Sequence, residues 1–79
     1  MYIKRLKDLR EDRDMNQKDV AKILNTKQQT YSYYENGKRT IPYELLIKLA
    51  IFYNVSTDYI LGLSNNKNAA EMSLLSSKK

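Results

Sequence analysis

The chain predicts an all-α fold of five short helices, and three observations carry that expectation. Apolar residues recur at three- and four-residue spacing in five separate stretches. Residue types that start and stop helices fall between those stretches, among them Asn16, Asn25, Gly37, Ser56 and Gly62. The intervening connections are short, as packed helical domains require.

Residues 2–13 place Ile3, Leu6 and Leu9 or Arg10 on one helical face, with Lys4, Arg5, Lys7, Asp8, Glu11 and Asp12 on the wet side. Lys4 and Asp8 make an attractive pair four residues apart, Asp8 and Asp12 a repulsive one. Asp14, Met15 and Asn16 break the pattern, and Met15 is expected beneath the next helix. That second helix spans 17–24, capped by Asn16, with Asp19 complementing the positive end of its dipole. The third spans 28–36 and ends at Asn36 and Gly37, since glycine takes the left-handed terminus readily. The fourth spans 42–53, with Pro42 at its first position, Glu44 on its dipole, and Leu45, Leu46, Leu49, Ala50 and Tyr53 as the core stripe. Val55 and Ser56 open a fifth helix capped by Ser56, with Tyr59, Ile60 and Leu61 reaching inward and Gly62 stopping it.

This gives a domain over residues 1–63 and a polar C-terminal tail over 64–79. The tail has only Met72, Leu74 and Leu75 to bury, so it is expected either to fray or to pack as a short helix on a second subunit. A chain of 79 residues buries only about 60–65% of the surface its unfolded form exposes, so its stability margin is thin.

Composition removes several kinds of chemistry. The chain has no cysteine and no histidine, hence no disulfide, no thiolate, none of the usual zinc ligands and no imidazole base. With no carboxylate pair, phosphate loop or nucleophile constellation in view either, no enzyme is expected, and no cofactor or metal. No apolar run approaches the ~20 residues of a membrane span and no leader pattern is visible, so a cytoplasmic protein without membrane contact is expected. The net charge is +5. Residues 1–62 hold 11 of the cations and 8 of the acids, so +2 of the excess lies beyond the domain and charge alone is a weak pointer to nucleic acid.

Residues 16–37 are more informative. Val20 and Leu24 share one helix face, Tyr31 and Tyr34 share another, and Asn25 between them is a non-glycine type that tolerates the left-handed corner. Two helices crossing steeply need a small side chain at closest approach, and Ala21 supplies it. This is the spacing of a helix-turn-helix, whose second helix enters the DNA major groove. Further matching stretches are Leu9 with Arg10, Gln17, the run 34–39 (YENGKR), the run 44–46 (ELL), the run 48–50 (KLA) and the run 54–56 (NVS). On these, residues 5–62 resemble the repressor-type (XRE, Cro-like) helix-turn-helix regulators, a family that includes the lambdoid phage repressors. The resemblance implies a five-helix lambda-repressor-like domain that binds DNA as a small transcriptional regulator, most often a repressor. Two departures stand out: Asn25 where the family usually has glycine, and Lys27 where it often has serine or threonine.

Candidate contacts sort into base reading and phosphate gripping. Gln28 and Gln29 occupy the first turn of the third helix, and a carboxamide carries the donor and acceptor that match adenine N6 and N7. By resemblance, the matching pair in lambdoid repressors reads bases. Ser32, one turn on, has a hydroxyl that pairs with several base edges, and Tyr33 beside it is expected to rest its ring on a thymine methyl or, preferably, its hydroxyl on a phosphate. The opposite face, Tyr31 and Tyr34, is expected in the core. Gln17 begins the second helix, where free amides already form an anion site, and Asn36, Lys38, Arg39 and Tyr43 follow the third helix as phosphate contacts. Lys27 opposes the dipole of the helix it precedes and lacks a capping hydroxyl, a conflict a DNA phosphate would answer; Thr26 is the alternative cap. Glu35, the one acid in this region, is expected to pair with Arg10.

One such domain covers about half a helical turn, so a homodimer on a roughly palindromic operator is expected, with its surface around Tyr59, Ile60, Leu63 and the tail. The alternative is a protein-interaction module on the same fold, an antitoxin or anti-repressor, favoured by the modest charge and the tyrosine-rich third helix; a protein anti-repressor or a toxin is the candidate protein partner.

Overall fold

The structure, a computed structural model, describes residues 2–67. They form α1 (Lys4–Asp12), α2 (Gln17–Ile23), α3 (Gln28–Glu35), α4 (Tyr43–Tyr53) and α5 (Thr57–Leu61), with no strand among them. The expected role of Met72, Leu74 and Leu75 lies outside the described residues.

Each helix sends one fully buried side chain to the centre: Leu6 from α1, Val20 from α2, Tyr31 from α3, Leu49 from α4 and Ile60 from α5. Around them close Ile3, Leu9, Ala21, Leu24, Tyr34, Ile41, Leu46, Ala50, Tyr53 and Val55, with Met15, Leu45, Phe52, Tyr59 and Leu61 packed against the outside of the cluster. The pairs in direct contact include α2 with α3, α1 with α5, α4 with α5 and α1 with α3.

The helix ends follow the local chemistry. Asn16 accepts from the Asp19 amide at 2.8 Å while the Asp19 carboxylate accepts from the Asn16 amide at 3.0 Å, a reciprocal capping box. Ser56 accepts from the Tyr59 amide at 3.0 Å. Pro42 sits one position earlier than expected. Its ψ of 148° is extended, and its carbonyl takes the amides of Leu45 and Leu46, so it is the residue before α4 rather than the first within it. Asn25 takes the left-handed corner, φ 54°, as do Gly37 and Gly62 at the ends of α3 and α5. Asp14 and Asn54 do so as well, ending α1 and α4, a use of short polar side chains that the helical pattern did not single out.

Two arginines, Arg5 (placed on the wet side from the sequence) and Arg13, lash α1 and its end to the rest. Arg5 lies 3.9 Å over the Tyr59 ring and donates to the Tyr59 and Ser64 carbonyls, each at 2.7 Å, and to Asn65 Oδ1 at 2.9 Å. Arg13 donates to the Tyr53 carbonyl and lies over the Phe52 and Tyr53 rings. One surface expectation is corrected: Ile60, placed on the dimer face, is 1% exposed and belongs to the centre of the core, because α5 is short enough that its single inward position is fully enclosed. Leu63, expected on the same face, is exposed, and the other exposed large apolar side chains among the described residues are Tyr2, Tyr43, Ile47 and Ile51. No helix among the described residues is long and apolar enough to cross a membrane.

Candidate nucleic-acid interface

The face in question is built by the α2–α3 corner and the turn after α3. Leu24 closes α2 onto the Val20 carbonyl, Asn25 turns left-handed, and the Thr26 amide donates back to the Ala21 carbonyl at 2.9 Å. Ala21 is 2% exposed at this corner, so the crossing is sealed around the small side chain. Tyr31 and Tyr34 anchor α3 from beneath, their rings edge-to-face at 6.5 Å, and the rest of the helix is thereby turned outward.

On the outward side Gln28 and Gln29 are exposed in the first turn, and Ser32 and Tyr33 are half-buried one turn on. Lys27 precedes the helix as its cap residue, with no side-chain bond to the free amides; Thr26 is not the cap. No acidic residue lies in the first turn of α3. The open amides therefore face outward beside an exposed cation, a combination that suits an anion. Past the helix, Asn36 Oδ1 accepts from the Lys38 amide at 3.1 Å and the Arg39 amide donates to the Tyr33 carbonyl at 3.1 Å. These bonds fold Lys38 and Arg39 back over Tyr33, 5.7 and 5.2 Å from its ring centroid. The Tyr33 hydroxyl accepts from Gln29 Nε2 at 2.8 Å. Tyr43 stands exposed at the start of α4.

The only acid between residues 20 and 43 is withdrawn from this face. Glu35 is 4% exposed and receives Arg10 through two donors, Nε at 2.6 Å and the terminal nitrogen at 3.0 Å, plus Gln17 Nε2 at 3.2 Å. A third Arg10 donor goes to the Met15 carbonyl at 2.8 Å, so one guanidinium ties α1, the loop after it and α3 together. Burial works to raise the Glu35 pKa. The hydrogen bonds and charge of Arg10, with the Gln17 amide, outweigh it and hold the carboxyl below its ordinary range. Burial in turn pushes the Tyr31 phenol up, and pushes Tyr53 up to about 12 with the Glu35 charge adding to it. Gln17 is thus an internal strut on one nitrogen as well as a half-buried residue at the start of α2.

Lys7 was missed in the sequence. It joins Tyr2, Gln17, Ser32 and Asn36 around an open depression of about 300 Å³ above the Arg10–Glu35 pair. Its only sequence signal is its place one turn before Arg10 on α1, which means nothing until α1 is seen to cross α3.

A family model described as helix-turn-helix matches residues 6–60. The chain is 40% identical over 72 residues to the HTH-type transcriptional regulator ImmR of Bacillus subtilis, covering 91% of this chain and 57% of that protein. It is 40% identical over 55 residues to the cryptic phage CTXphi transcriptional repressor RstR of Vibrio cholerae, covering 70% of this chain and 50% of the relative. The chain thus spans about half the length of these relatives. A crystal structure of a transcriptional regulator from Listeria innocua superposes with a TM-score of 0.76 at 25% identity, over 99% of this chain and 76% of that one. With the corner at Asn25, the buried Ala21 and the tyrosine-anchored α3 all in place, this chain belongs to the helix-turn-helix family.

Proposed function

We propose that the chain binds double-stranded DNA sequence-specifically as a small transcriptional regulator acting in the cytoplasm, with repression as its output. One observation carries the reading: two exposed carboxamides lead α3. Lys27 before the helix and Lys38 and Arg39 after it bracket them with positive charge, while the only acid of the region is buried against Arg10. The relatives named as regulator and repressor support the same reading.

On this proposal α3 lies in the major groove. Gln28 and Gln29 read adenine edges, and the Ser32 hydroxyl adds an unselective contact. Lys27, Lys38 and Arg39 meet phosphates as charges; Gln17, Asn36 and Tyr43 meet them as hydrogen-bond donors. The working unit is a homodimer whose two α3 helices sit about 34 Å apart on a pseudo-palindromic operator. Leu63 and Tyr59 remain available for its surface, where Ile60 does not.

Selection of bound sequences from random DNA tests this. The expected result is two similar, inverted half-sites with adenine in each, bound by a species that sediments as a dimer and released steeply by salt. Failure of any sequence to be enriched overturns the reading.

A further inference from the structure

Tyr33 makes two kinds of contact at once, one through its hydroxyl and one through its ring. Its hydroxyl oxygen accepts the Gln29 Nε2 hydrogen bond at 2.8 Å from one helical turn below. Arg39 lies over its ring 5.2 Å from the centroid, and Lys38 5.7 Å from it. Its own carbonyl receives the Arg39 amide, so backbone and ring together hold the turn after α3.

The hydrogen bond has a consequence for Gln29. A free glutamine amide swings about several bonds and presents either edge. With one N–H committed to Tyr33, the amide keeps its carbonyl oxygen and its second N–H, an adjacent acceptor and donor. That pair complements adenine, which offers the N6 donor and the N7 acceptor. Turned the other way, with the carbonyl oxygen taking the tyrosine hydrogen, the amide would offer two donors, which complement the two acceptors of guanine. The structure has the first arrangement.

We propose that Tyr33 is a positioning residue: its hydroxyl presets Gln29 in the adenine-reading orientation, and its ring gathers Lys38 and Arg39 beside the base that Gln29 reads. The inference rests on the reading of α3 as the recognition helix and deepens it. Tyr33 touches no base in this scheme. It determines specificity through its neighbour, and it couples that specificity to phosphate grip because one ring serves both.

The experiment measures affinity of the wild type, Tyr33→Phe, Gln29→Ala and the double variant for the selected operator. Each is also tested on operators substituted singly at every half-site position, at two salt concentrations. Tyr33→Phe removes the hydroxyl and keeps the ring. It is expected to lower discrimination of adenine from guanine by roughly five- to tenfold at the position that Gln29→Ala also affects. Salt slope and thermal midpoint stay unchanged, and Tyr33→Phe adds nothing further on the Gln29→Ala background. Tyr33→Ala, which also removes the ring, is expected to weaken every sequence. Wild-type discrimination in Tyr33→Phe, or a loss of equal size whether or not Gln29 is present, overturns the proposal. Retention of full discrimination by Gln29→Ala overturns it too, while sequence-specific binding leaves the recognition helix standing. A wild type that selects no sequence brings down both.

Discussion

Gly37 and Gly62 share nearly the same backbone, φ 81° and 80°, and differ in what surrounds them. A Cβ on Gly37 would meet the Tyr2 backbone and Cβ at 3.2 Å, whereas one on Gly62 would meet nothing within 4 Å. Alanine costs about 1–2 kcal/mol at either site for the left-handed conformation alone. Gly37→Ala is therefore expected to lower the thermal midpoint more than Gly62→Ala, the excess measuring how firmly Tyr2 is held across the end of α3. Glu35 yields a second prediction at this scale. Its pKa is depressed in the fold, so its stabilisation is complete above the unfolded carboxyl value of about 4.5 and fades as pH falls through the lower, folded value. Stability measured by denaturant from pH 6 to pH 2 is expected to decline over the acid limb in the wild type. In Glu35→Gln that limb flattens, from a starting stability about 3 kcal/mol lower because Arg10 is left buried without its counter-charge. Arg10 and Glu35 were paired from the sequence because a carboxylate facing phosphates would be repelled; the two-donor grip, the Gln17 strut and the Met15 carbonyl were not legible there.

At the scale of the helix, α2 and α3 start in opposite ways. α2 has a complete capping box, and α3 begins at a lysine with neither a capping bond nor an acid in its first turn. Lys27→Ser supplies a cap worth about 1 kcal/mol, or roughly 4–8 °C in a domain of this size, and removes a cation from the proposed interface. Higher thermal stability with weaker DNA binding is the expected pair of outcomes, read by calorimetry and gel shift on the same samples; a gain in both would show that the lysine has no phosphate to meet. Helix order, approximate bounds and most caps were readable because they depend on neighbours within four residues. Pro42 and Asn54 show the edge of that legibility. The choice between the first helical position and the one before it, and the choice of asparagine for a left-handed end, turn on ψ and φ values that several sequences satisfy equally.

Across the whole molecule, charge is arranged rather than abundant. The net +5 is modest, yet Glu35 is buried while Lys27 before α3 and Lys38 and Arg39 after it are exposed. Lys38→Ala is expected to weaken binding to all sequences alike and to lower the slope of log affinity against log salt by about one per protomer. A loss confined to one base position would instead make Lys38 a reader. Arg5 and Arg13 are cations of another kind, spent on carbonyls and rings that fix α1 against α5 and α4. Counting charges along the chain does not separate the two groups, since what separates them is whether an aromatic ring or carbonyl from the far end of the chain arrives beside them.

The order of the helices, the left-handed corner at Asn25, the burial of Tyr31 and Tyr34 and the exposure of Gln28 and Gln29 were settled by the sequence itself, because periodicity and capping act over one or two turns. Tertiary packing alone decided that Ile60 is enclosed too fully to serve a dimer face, that Lys7 borders the α3 face, that Arg5 reaches Ser64 some 59 residues away, and that Glu35 is buried in the two-donor grip of Arg10. Those outcomes are set by distances in space between residues remote in the chain, which only the closed five-helix core brings within contact.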